Sequence, residues 1–480
     1  MTILDKLKAA RRVSVPIVGI STPDPAATVE LIVTGINGDS PKLQWDSSAG
    51  MRPLNEEAAP CCFDAFDIVQ ACQGALSLPE GAILIVHMTN RWLDNPLVLQ
   101  AIWNVRDAFK ENHRMLVLLG PDLELPAELK HDVVLLDEPL PGRDALREIV
   151  LRVYRDAALD DGDAPLDEAV DALQGLSAFQ AEQVTAMSLT REGLDIDAVW
   201  ELKRKQIEQT PGLSVWRGGE RFDDIGGVST VKDFIGRIVH GKAKPGAVVF
   251  IDEIEKMLAG EGDLSGVSQD QLGAILSYMQ DENAVGMIFV GPPGSAKSMV
   301  AKAAGNEAGI PTIQLDLGAS KGSLVGQSEN QMRQALKVVS SVSNGRSLWI
   351  ATCNKLSNLP PELRRRFTLG TFFFDLPPWE ERVVIWALYK RRYSILSDEE
   401  AIDDADWTGA EIRQCCDIAW RLDISLDEAA KFIVPVAKSA AQQIAKLRSE
   451  AVGKFLSASQ PGTYRGVPIT RESAKRSVQV

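Results

Sequence analysis

Apolar runs typical of buried strands recur along residues 1–158, and stretches typical of helices separate them. The runs are Val15–Ile20, Ala82–His87, Met115–Leu119 and Val133–Leu136. Strands that alternate with helices predict a mostly parallel sheet covered on both faces. Residues 159–215 follow, and because the pattern from 165 to about 210 is helical throughout, we expect a small helical appendage or linker there.

A second alternation of strand-like and helical stretches occupies residues 216–378, which predicts a second α/β domain. Residues 379–455 are helical in pattern, and Thr408 is expected to cap a helix that begins near Gly409. Residues 456–480 lack periodicity, which predicts a tail that is disordered or laid on the surface. The strand-like runs of the second alternation are Ala247–Ile251, Met287–Val290, Thr312–Leu315, Leu348–Ala351 and Phe372–Phe374.

The composition is that of an ordinary globular protein, since 45% of the 480 residues are apolar and 24% are charged. The formal net charge of −15 disfavours nucleic acid as the main partner, because an acidic surface repels phosphate backbones. The apolar runs are far shorter than the ~20 residues that cross a bilayer. The start of the chain, where Pro16 breaks a short apolar run, is unlike a signal peptide. We therefore expect a cytoplasmic protein without a membrane segment.

The cysteines and histidines offer little chemistry. Six cysteines occur without a C-x-x-C pair or zinc-finger spacing, so we expect reduced core residues. Four scattered histidines provide no basis for a histidine metal site or a Ser-His-Asp triad. Any hydrolytic chemistry must come from other residues.

The strongest local signal is the run Gly291–Ser298, which lies between a predicted strand and a helix that begins at Met299. A strand, a Gly-rich turn and a helix N-terminus aim backbone N–H groups at phosphates. Lys297 would reach the outer phosphates, and the Ser298 hydroxyl would bind Mg²⁺. Ala296 stands where the phosphate-loop pattern has glycine, a change that a position with negative φ tolerates. The alternative is a Gly-rich structural turn. The residues expected to contact nucleotide here are Pro293, Gly294, Ser295, Ala296, Lys297, Ser298 and Met299.

A second element is the apolar run Val248–Ile251, which ends at Asp252 and Glu253. It describes a buried strand that delivers two carboxylates to its C-terminal end, where α/β sheets bind ligands. Asp252 would hold Mg²⁺, directly or through water, and Glu253 would act on the attacking water as a general base. The alternative is an ordinary helix N-terminus after a strand, which has the same pattern.

These motifs, with Phe222–Gly227, Leu348–Asn354 and Leu359–Phe367, resemble the AAA+ ATPases over about residues 216–450. The resemblance implies a P-loop NTPase fold of the α/β class, with a parallel sheet and a C-terminal helical lid. It implies an enzyme that binds ATP or ADP with Mg²⁺ and hydrolyses ATP. It also implies that Asp224, Ile225 and Gly226 form the adenine pocket and that Asn354 is the polar sensor beside the γ-phosphate.

The same resemblance implies that arginines of the run Arg364–Arg366 reach into the neighbouring subunit's site. A guanidinium suits that role because its charge is permanent and its donors form a planar fork. We favour Arg365 and Arg366, and a solvated basic turn is the alternative.

A lid stretch, Trp407–Arg413, matches the family's stretch near adenine and ribose. Gly409 and Ala410 would permit close approach there. Arg413 either contacts phosphate or lies on the helix surface, and the sequence does not decide between the two.

The order of the motifs departs from that of ordinary AAA+ domains, in which the phosphate-loop strand comes first and the Asp-Glu strand precedes the sensor strand. Here Asp252 precedes Gly291, and no Asp-Glu pair stands between Ala335 and the sensor strand. Because parallel strands bind ligands at their C-terminal ends whatever their chain order, we predict a rewired but assembled site. The competing interpretation is a domain that binds nucleotide and no longer hydrolyses it.

The whole chain looks most like poorly characterised ATPases encoded as open reading frames in cyanobacterial and plastid genomes, and like their bacterial relatives. In those relatives the N-terminal half resembles a degenerate ATPase domain. Here the strand Ile83–Val86 leads into His87 rather than Asp-Glu, and no Gly-Lys follows the first strand. We expect residues 1–158 to be a scaffold or a partner-binding domain.

Family members commonly form hexameric rings that thread a polymer past a pore loop, which here is Lys321–Gly326. This loop offers Leu324 where protein-unfolding members usually have an aromatic residue. The favoured hypothesis is an oligomeric ATPase that remodels a protein partner. The alternatives are a nucleotide-dependent assembly switch with little turnover and a nucleic-acid motor, and the acidic charge disfavours the latter.

Overall fold

The computed structural model describes residues 2–36, 40–121, 123–160, 162, 164–258, 267–316, 327–355, 361–395 and 402–466. The chain forms two compact units. The first contains residues 1–170 and 176–194, and the second contains residues 171–175 and 195–480. The predicted pore loop, Lys321–Gly326, lies outside the described residues. No helix within the described ranges is long and apolar enough to cross a membrane.

The first unit is built on a six-stranded sheet with the order β3-β2-β4-β5-β1-β6. All neighbouring strands run parallel except β2 and β3, which are antiparallel. The sheet strands are β1 (Ile17–Ser21), β2 (Lys42–Asp46), β3 (Gly50–Pro53), β4 (Ile83–Val86), β5 (Met115–Gly120) and β6 (Val134–Asp137). The helices are α1 (Ile3–Arg12), α2 (Pro25–Gly35), α3 (Ile68–Ala75), α4 (Pro96–Glu111), α5 (Arg143–Asp156), α6 (Leu166–Leu173), whose last residues belong to the second unit, and α7 (Ala178–Met187).

Both faces of this sheet are buried, which explains why its central strands are continuous apolar runs. In β4, Leu84 and Val86 pack into one core cluster, while Ile83 and Ile85 pack into another. The expectation that residues 165–210 are helical throughout is wrong at one place. There β7 (Leu189–Thr190) and β8 (Gly193–Leu194) form a hairpin, and strands this short carry too few residues to show alternation.

The second unit is built on a seven-stranded sheet with the order β15-β14-β11-β13-β10-β12-β9. Only β9 runs antiparallel to its neighbour. The strands are β9 (Leu213–Val215), β10 (Ala247–Ile251), β11 (Val285–Val290), β12 (Thr312–Leu315), β13 (Ser347–Cys353), β14 (Thr371–Phe373) and β15 (Leu456–Ser457). The helices are α8 (Ile196–Glu208), α9 (Ser229–Val239), α10 (Glu255–Leu258), α11 (Val267–Asp281), α12 (Lys297–Ala308), α13 (Gln327–Ser343), α14 (Pro361–Arg366), α15 (Trp379–Arg392), α16 (Gly409–Leu422), α17 (Leu426–Ala430), α18 (Val436–Ser439) and α19 (Ala441–Ala451).

The strand β10, which carries the acidic pair at its end, precedes β11 in the chain and yet lies between β13 and β12. Its register pairs Ile251 with Ala351 of β13, and β13 in turn pairs Cys353 with Val290 of β11. The C-terminal ends of these three strands therefore meet at one edge of the sheet, and the loops that follow them are neighbours.

The prediction of a surface or disordered tail from residue 456 is wrong for the described part of that segment. In β15, Leu456 pairs with Phe372 of β14 at the edge of the sheet. Ala458 is fully buried, and the Tyr464 ring packs 4.6 Å from that of Phe373. A two-residue strand has no periodicity, so the hydrophobic pattern could not reveal it.

The lid helices α15, α16 and α17 enclose a small core of their own, which includes Ile385, Tyr389 and Ile412. The predicted cap is confirmed, because the Thr408 hydroxyl accepts a hydrogen bond from Glu411 N at the start of α16. The Glu411 carboxylate accepts in return from Thr408 N, so the helix begins with a reciprocal capping box.

Candidate nucleotide site

A cavity of about 330 Å³ opens at the C-terminal ends of the central strands of the second sheet and is closed on one side by the lid helices. This volume is in the range of small-molecule sites. Most of the predicted site residues line it, namely Ile225, Gly226, Asp252, Glu253, Pro293, Gly294, Ser295, Ala296, Lys297, Ser298, Met299, Asn354, Gly409, Ala410 and Arg413. The sequence did not identify Val228, Thr352, Asp375, Pro377, Glu381, Ile385 and Tyr389, which line it as well.

The loop before α12 is packed too closely to accept side chains at two of its glycines. A Cβ on Gly291 would lie 2.1 Å from the Phe374 carbonyl oxygen. Gly294 has φ of +80°, and a Cβ there would lie 2.8 Å from Thr408 Oγ1 and 3.1 Å from Ala410 Cβ. Glycine at position 294 therefore permits both the turn and the contact with the lid.

Ala296 adopts a left-handed conformation with φ of +64° at the N-cap of α12. The negative φ at which an alanine would be tolerated without strain is therefore not the conformation of this position. Glycine adopts this region without steric cost, whereas an L-residue with a Cβ is strained by ~1–2 kcal/mol. The methyl group of Ala296 therefore adds strain that a glycine at this position would not have.

The Lys297 side chain is buried beneath the loop, with 5% of its surface exposed. Its Nζ donates to the carbonyl oxygens of Gly291 at 2.9 Å and Pro292 at 2.7 Å. Burial lowers the pKa of Lys297 to about 8, against the opposing charge of Glu255. The ammonium group is thus held at the loop by neutral acceptors that phosphate oxygens would outcompete.

The Asp252 carboxylate connects the acidic strand to the phosphate loop. Its Oδ1 accepts from Ser298 Oγ at 2.9 Å and from Thr352 Oγ1 at 2.6 Å. The hydroxyl and carboxylate oxygens of Ser298 and Asp252 are the donor type that Mg²⁺ prefers, and few protein ligands suffice when phosphates supply the others. The residues present therefore fit a Mg²⁺ ion bound with nucleotide.

Glu253 and Asn354 form the next contact along this edge. Asn354 Nδ2 donates to Glu253 Oε1 at 3.0 Å, and the other oxygen, Oε2, is ion-paired with the exposed Lys256. The hydrogen bond to Glu253 holds the pKa of Lys256 above its usual value. Glu253 has φ of +49°, a left-handed conformation that costs energy and occurs preferentially at functional sites.

The segment expected to hold adenine is brought to the cavity only in part. Ile225 and Gly226 line it, whereas Asp224 does not, because its carboxylate accepts from Arg221 N at 2.8 Å. The Ile225 carbonyl already accepts from Lys232 Nζ at 2.8 Å. A Cβ on Gly226 would lie 2.5 Å from Ile385 Cγ1, so glycine lets this segment touch the lid.

The arginines Arg365 and Arg366 lie on α14 and do not line the cavity of their own chain. Arg366 Nη2 donates to Gln280 Oε1 on α11 at 2.5 Å, and Arg366 is partly exposed, whereas Arg365 is exposed. Arg413 does line the cavity while remaining exposed on α16. The assignment of Arg365 and Arg366 to a neighbouring site stays a prediction.

The equivalent edge of the first sheet holds side-chain caps where the second has a phosphate loop. The strand β1 leads to Asp24, whose carboxylate accepts from Ala27 N at 3.2 Å and caps α2. The Thr28 hydroxyl lies 2.8 Å from Thr22 Oγ1 and also contacts Glu138. The N-terminus of α2, which could otherwise face an anion, is thus occupied by a carboxylate of its own chain.

Three families match successive parts of the chain. Residues 3–138 match the N-terminal domain of SpoVK-like AAA ATPases, and residues 144–210 match the second domain of the same group. Residues 287–345, which begin within β11, match the ATPase family associated with various cellular activities (AAA). The chain therefore carries SpoVK-like AAA ATPase domains at residues 3–138 and 144–210 and an AAA segment at residues 287–345.

More particularly, the chain is homologous to plastid proteins described as "Uncharacterized AAA domain-containing protein ycf46". The protein of Guillardia theta is 24% identical over 446 residues, which cover 80% of this chain and 82% of the relative. That of Trieres chinensis is 24% identical over 430 residues, covering 77% and 80%. That of Gracilaria tenuistipitata var. liui is 23% identical over 394 residues, covering 71% and 73%.

Proposed function

We propose that this chain is a cytoplasmic ATP hydrolase that depends on Mg²⁺ and works as a homo-oligomer. We expect the oligomer to be a hexameric ring. The observation that carries the proposal is that Lys297, Ser298, Asp252, Glu253 and Asn354 line one cavity. They come from three separate parts of the chain. Together they supply a cation for phosphate, oxygen ligands for Mg²⁺ and a carboxylate for water.

The chemistry follows from the contacts of these side chains. Lys297 would exchange the loop carbonyls for phosphate oxygens, which are the stronger acceptors because they are charged. Ser298 and Asp252 would hold Mg²⁺, which neutralises phosphate charge when it is bound. Glu253 would orient a water molecule and accept its proton, while the Asn354 amide keeps Oε1 in place. An exposed ion pair contributes little, so Oε2 can leave Lys256 to meet the water.

The test is phosphate release from ATP by the full chain with and without Mg²⁺. Glu253→Gln should lower the turnover at least about 10²-fold, as expected for a general base, while retaining nucleotide binding. Glu380→Gln, which changes an exposed carboxylate at the start of α15, is the matched control and should behave as wild type. A wild-type chain without turnover would exclude the hydrolase.

The oligomer is proposed because Arg365, which is exposed, and Arg366, which is partly exposed, lie outside the cavity of their own chain, and a planar guanidinium suits a transferring phosphoryl group. Arg365→Ala/Arg366→Ala chains and Glu253→Gln chains should each be inactive alone. Mixing them should restore activity, because some interfaces then join an intact cavity to intact arginines. Sedimentation of a fully active monomer would contradict the proposal.

A second candidate is a nucleotide-dependent assembly switch with little turnover, which would follow if the ion pair with Lys256, although exposed, keeps Oε2 of Glu253 from the water. In that case ATP would promote assembly and remain intact in the assembled protein. The variant Lys256→Ala distinguishes the assembly switch from the hydrolase, because it should raise turnover only if the ion pair between Glu253 and Lys256 restrains Glu253.

The partner that the ATPase acts on is proposed to be a protein, since the charge of −15 opposes nucleic acid. A pull-down with the Glu253→Gln chain in ATP should retain a protein that wild type releases. Salt-dependent binding of single- or double-stranded nucleic acid would instead support a nucleic-acid motor.

A further inference from the structure

A buried carboxylate lies behind the acidic pair at the edge of the second sheet. Glu255 begins α10, two residues after Glu253, and only 7% of its surface is exposed. Its neighbour Lys256 is exposed, as the first turn of a surface helix usually is. A carboxylate this deeply buried is costly unless its oxygens accept hydrogen bonds.

One oxygen of Glu255 accepts from the main chain of Asn354. The distance from Asn354 N to Glu255 Oε1 is 2.8 Å. Asn354 follows the last residue of β13, and the carboxylate takes the place there that a strand carbonyl would have within the sheet. Because the acceptor is charged, this hydrogen bond is stronger than an ordinary sheet bond.

The other oxygen, Glu255 Oε2, is buried and accepts no hydrogen bond of normal geometry from the described residues, although the Cys353 thiol lies close enough that, after burial, Glu255 helps to raise the pKa of that thiol. Packing alone would be served better by an apolar residue, since an unpaired buried oxygen destabilises the fold. The remaining contacts of this region hold the same two segments together. Glu253 N donates to Thr352 Oγ1 at 2.9 Å, and Ile254 N donates to the Thr352 carbonyl at 3.0 Å.

The geometry points to Glu255 as a positioning residue that fixes the backbone of Asn354, so that the Asn354 amide is aimed at Oε1 of Glu253. Glu255 holds the main chain of Asn354, and the side chain of Asn354 holds Glu253. Glu255 thus orients the general base through Asn354 without touching the substrate. The kinetic part of this inference rests on the proposed hydrolase function, whereas its structural part does not.

The structural part is tested by hydrogen exchange of the Asn354 amide in the full chain without nucleotide. Glu255→Leu removes the acceptor at similar volume, and the amide should exchange at least about tenfold faster. Glu255→Gln keeps an oxygen acceptor, so the Asn354 amide of this variant should exchange within about threefold of the wild-type rate. Wild-type exchange in Glu255→Leu would overturn the inference, as would equal exchange in the two variants.

Ser347→Ala is the matched control, because it removes a buried partner at the opposite end of β13. Ser347 Oγ accepts from Trp349 Nε1 at 2.8 Å. The control should lower the denaturation midpoint without changing exchange at Asn354. Should Glu255→Leu fail to fold, Glu255→Met removes the same acceptor with a more adaptable side chain and is judged by the same criteria.

The kinetic part compares kcat with nucleotide affinity. Glu255→Leu should lower kcat about tenfold or more, because the orientation of Glu253 is lost. Glu255→Leu and Glu255→Gln both remove the charge that opposes the lowering of the Lys297 pKa, so a change in ATP affinity that the two variants share belongs to Lys297 and not to the orientation of Glu253. Glu255→Gln should retain kcat. If wild type has no turnover, the hydrolase proposal fails while the exchange result still decides the role of Glu255. Equal loss of kcat in both variants would show that charge, rather than the hydrogen bond, is what matters, and would overturn the inference.

Discussion

Asn354 Nδ2 lies 3.0 Å from Glu253 Oε1, although the two residues are 101 positions apart in the chain. The contact exists because β10 and β13 are neighbours in the sheet and end at the same edge. Asn354→Ala should therefore lower kcat about tenfold to 10²-fold while leaving nucleotide affinity nearly unchanged. Gln414→Ala, an exposed change on α16, is the control, and steady-state phosphate release with fluorescent-nucleotide titration is the measurement. Loss of affinity with unchanged kcat would contradict this role.

Ala296 has φ of +64°, so glycine should relieve strain at this position. We expect Ala296→Gly to raise the free energy of unfolding by about 0.5–1 kcal/mol, because the relief exceeds the added entropy of the unfolded chain. Ala301→Gly, inside α12, should act in the opposite direction by about 1 kcal/mol. Denaturant titration of both variants checks the signs, and a lower midpoint for Ala296→Gly would be inconsistent with the strain.

Lys203 on α8 is fully buried and lies with its Nζ 4.7 Å from the Trp200 ring. Burial lowers the pKa of Lys203 to about 7 from 10.5, with the charge of Asp171 opposing. Between these two pH values the unfolded chain binds more protons than the folded chain. The free-energy cost of burying the charged Lys203 ammonium group is therefore full below pH 7 and is relieved as the pH rises towards 10.5.

Lys203→Met should therefore raise the free energy of unfolding at pH 7 by about 1–3 kcal/mol. It should also flatten the dependence of stability on pH between 7 and 10. Melting temperatures of both proteins across this range provide the measurement. Parallel curves for the two proteins would show that Lys203 does not titrate in the folded chain as inferred.

The Tyr464 hydroxyl donates to Asp375 Oδ2, while Arg448 Nε lies 2.8 Å from Asp375 Oδ1. Burial and the charge of Asp375 raise the pKa of Tyr464, so the hydroxyl stays a donor. Tyr464→Phe should lower the free energy of unfolding by about 1–2 kcal/mol, because a charged acceptor loses a partner.

Since Asp375 lines the cavity, Tyr464→Phe should also weaken nucleotide binding measurably. Arg448→Met removes the other partner of Asp375 and should act in the same direction. Calorimetric titration with ADP, together with urea denaturation, checks both effects. If Tyr464→Phe binds ADP and unfolds as wild type does, Tyr464 does not support Asp375 at the cavity.

The central strands could be predicted from the sequence because both faces of each sheet are buried and the strands are continuous apolar runs. The reversed order of β10 and β11 in the chain did not prevent their prediction, because each strand is recognisable from its own apolar run. By contrast, β15 is two residues long and β9 three, and such strands exist only because a longer neighbour offers unpaired main-chain groups.

The site could be predicted where residue type and spacing carry the chemistry, as in Lys297 and Ser298. The roles of Thr352 and Glu255 could not be predicted from the sequence, because a threonine in a strand and an acidic residue in the first turn of a helix are common. Thr352 stands two residues before Asn354, the spacing that places side chains on one face of a strand, and this was the available signal. The left-handed backbone at Ala296 is set by the packing of the loop and has no signal in the residue itself.

The position of β10 bears on the order in which the chain emerges during synthesis. Both neighbours of β10, β12 and β13, follow it in the sequence, so this fully apolar strand leaves the ribosome before either is available. Until then its edges and both faces are open to water and to other unpaired strands, a state prone to aggregation. Nascent chains halted between Ile251 and Thr312 would therefore be substrates for chaperones, while those that have passed Cys353 could close the centre of the sheet.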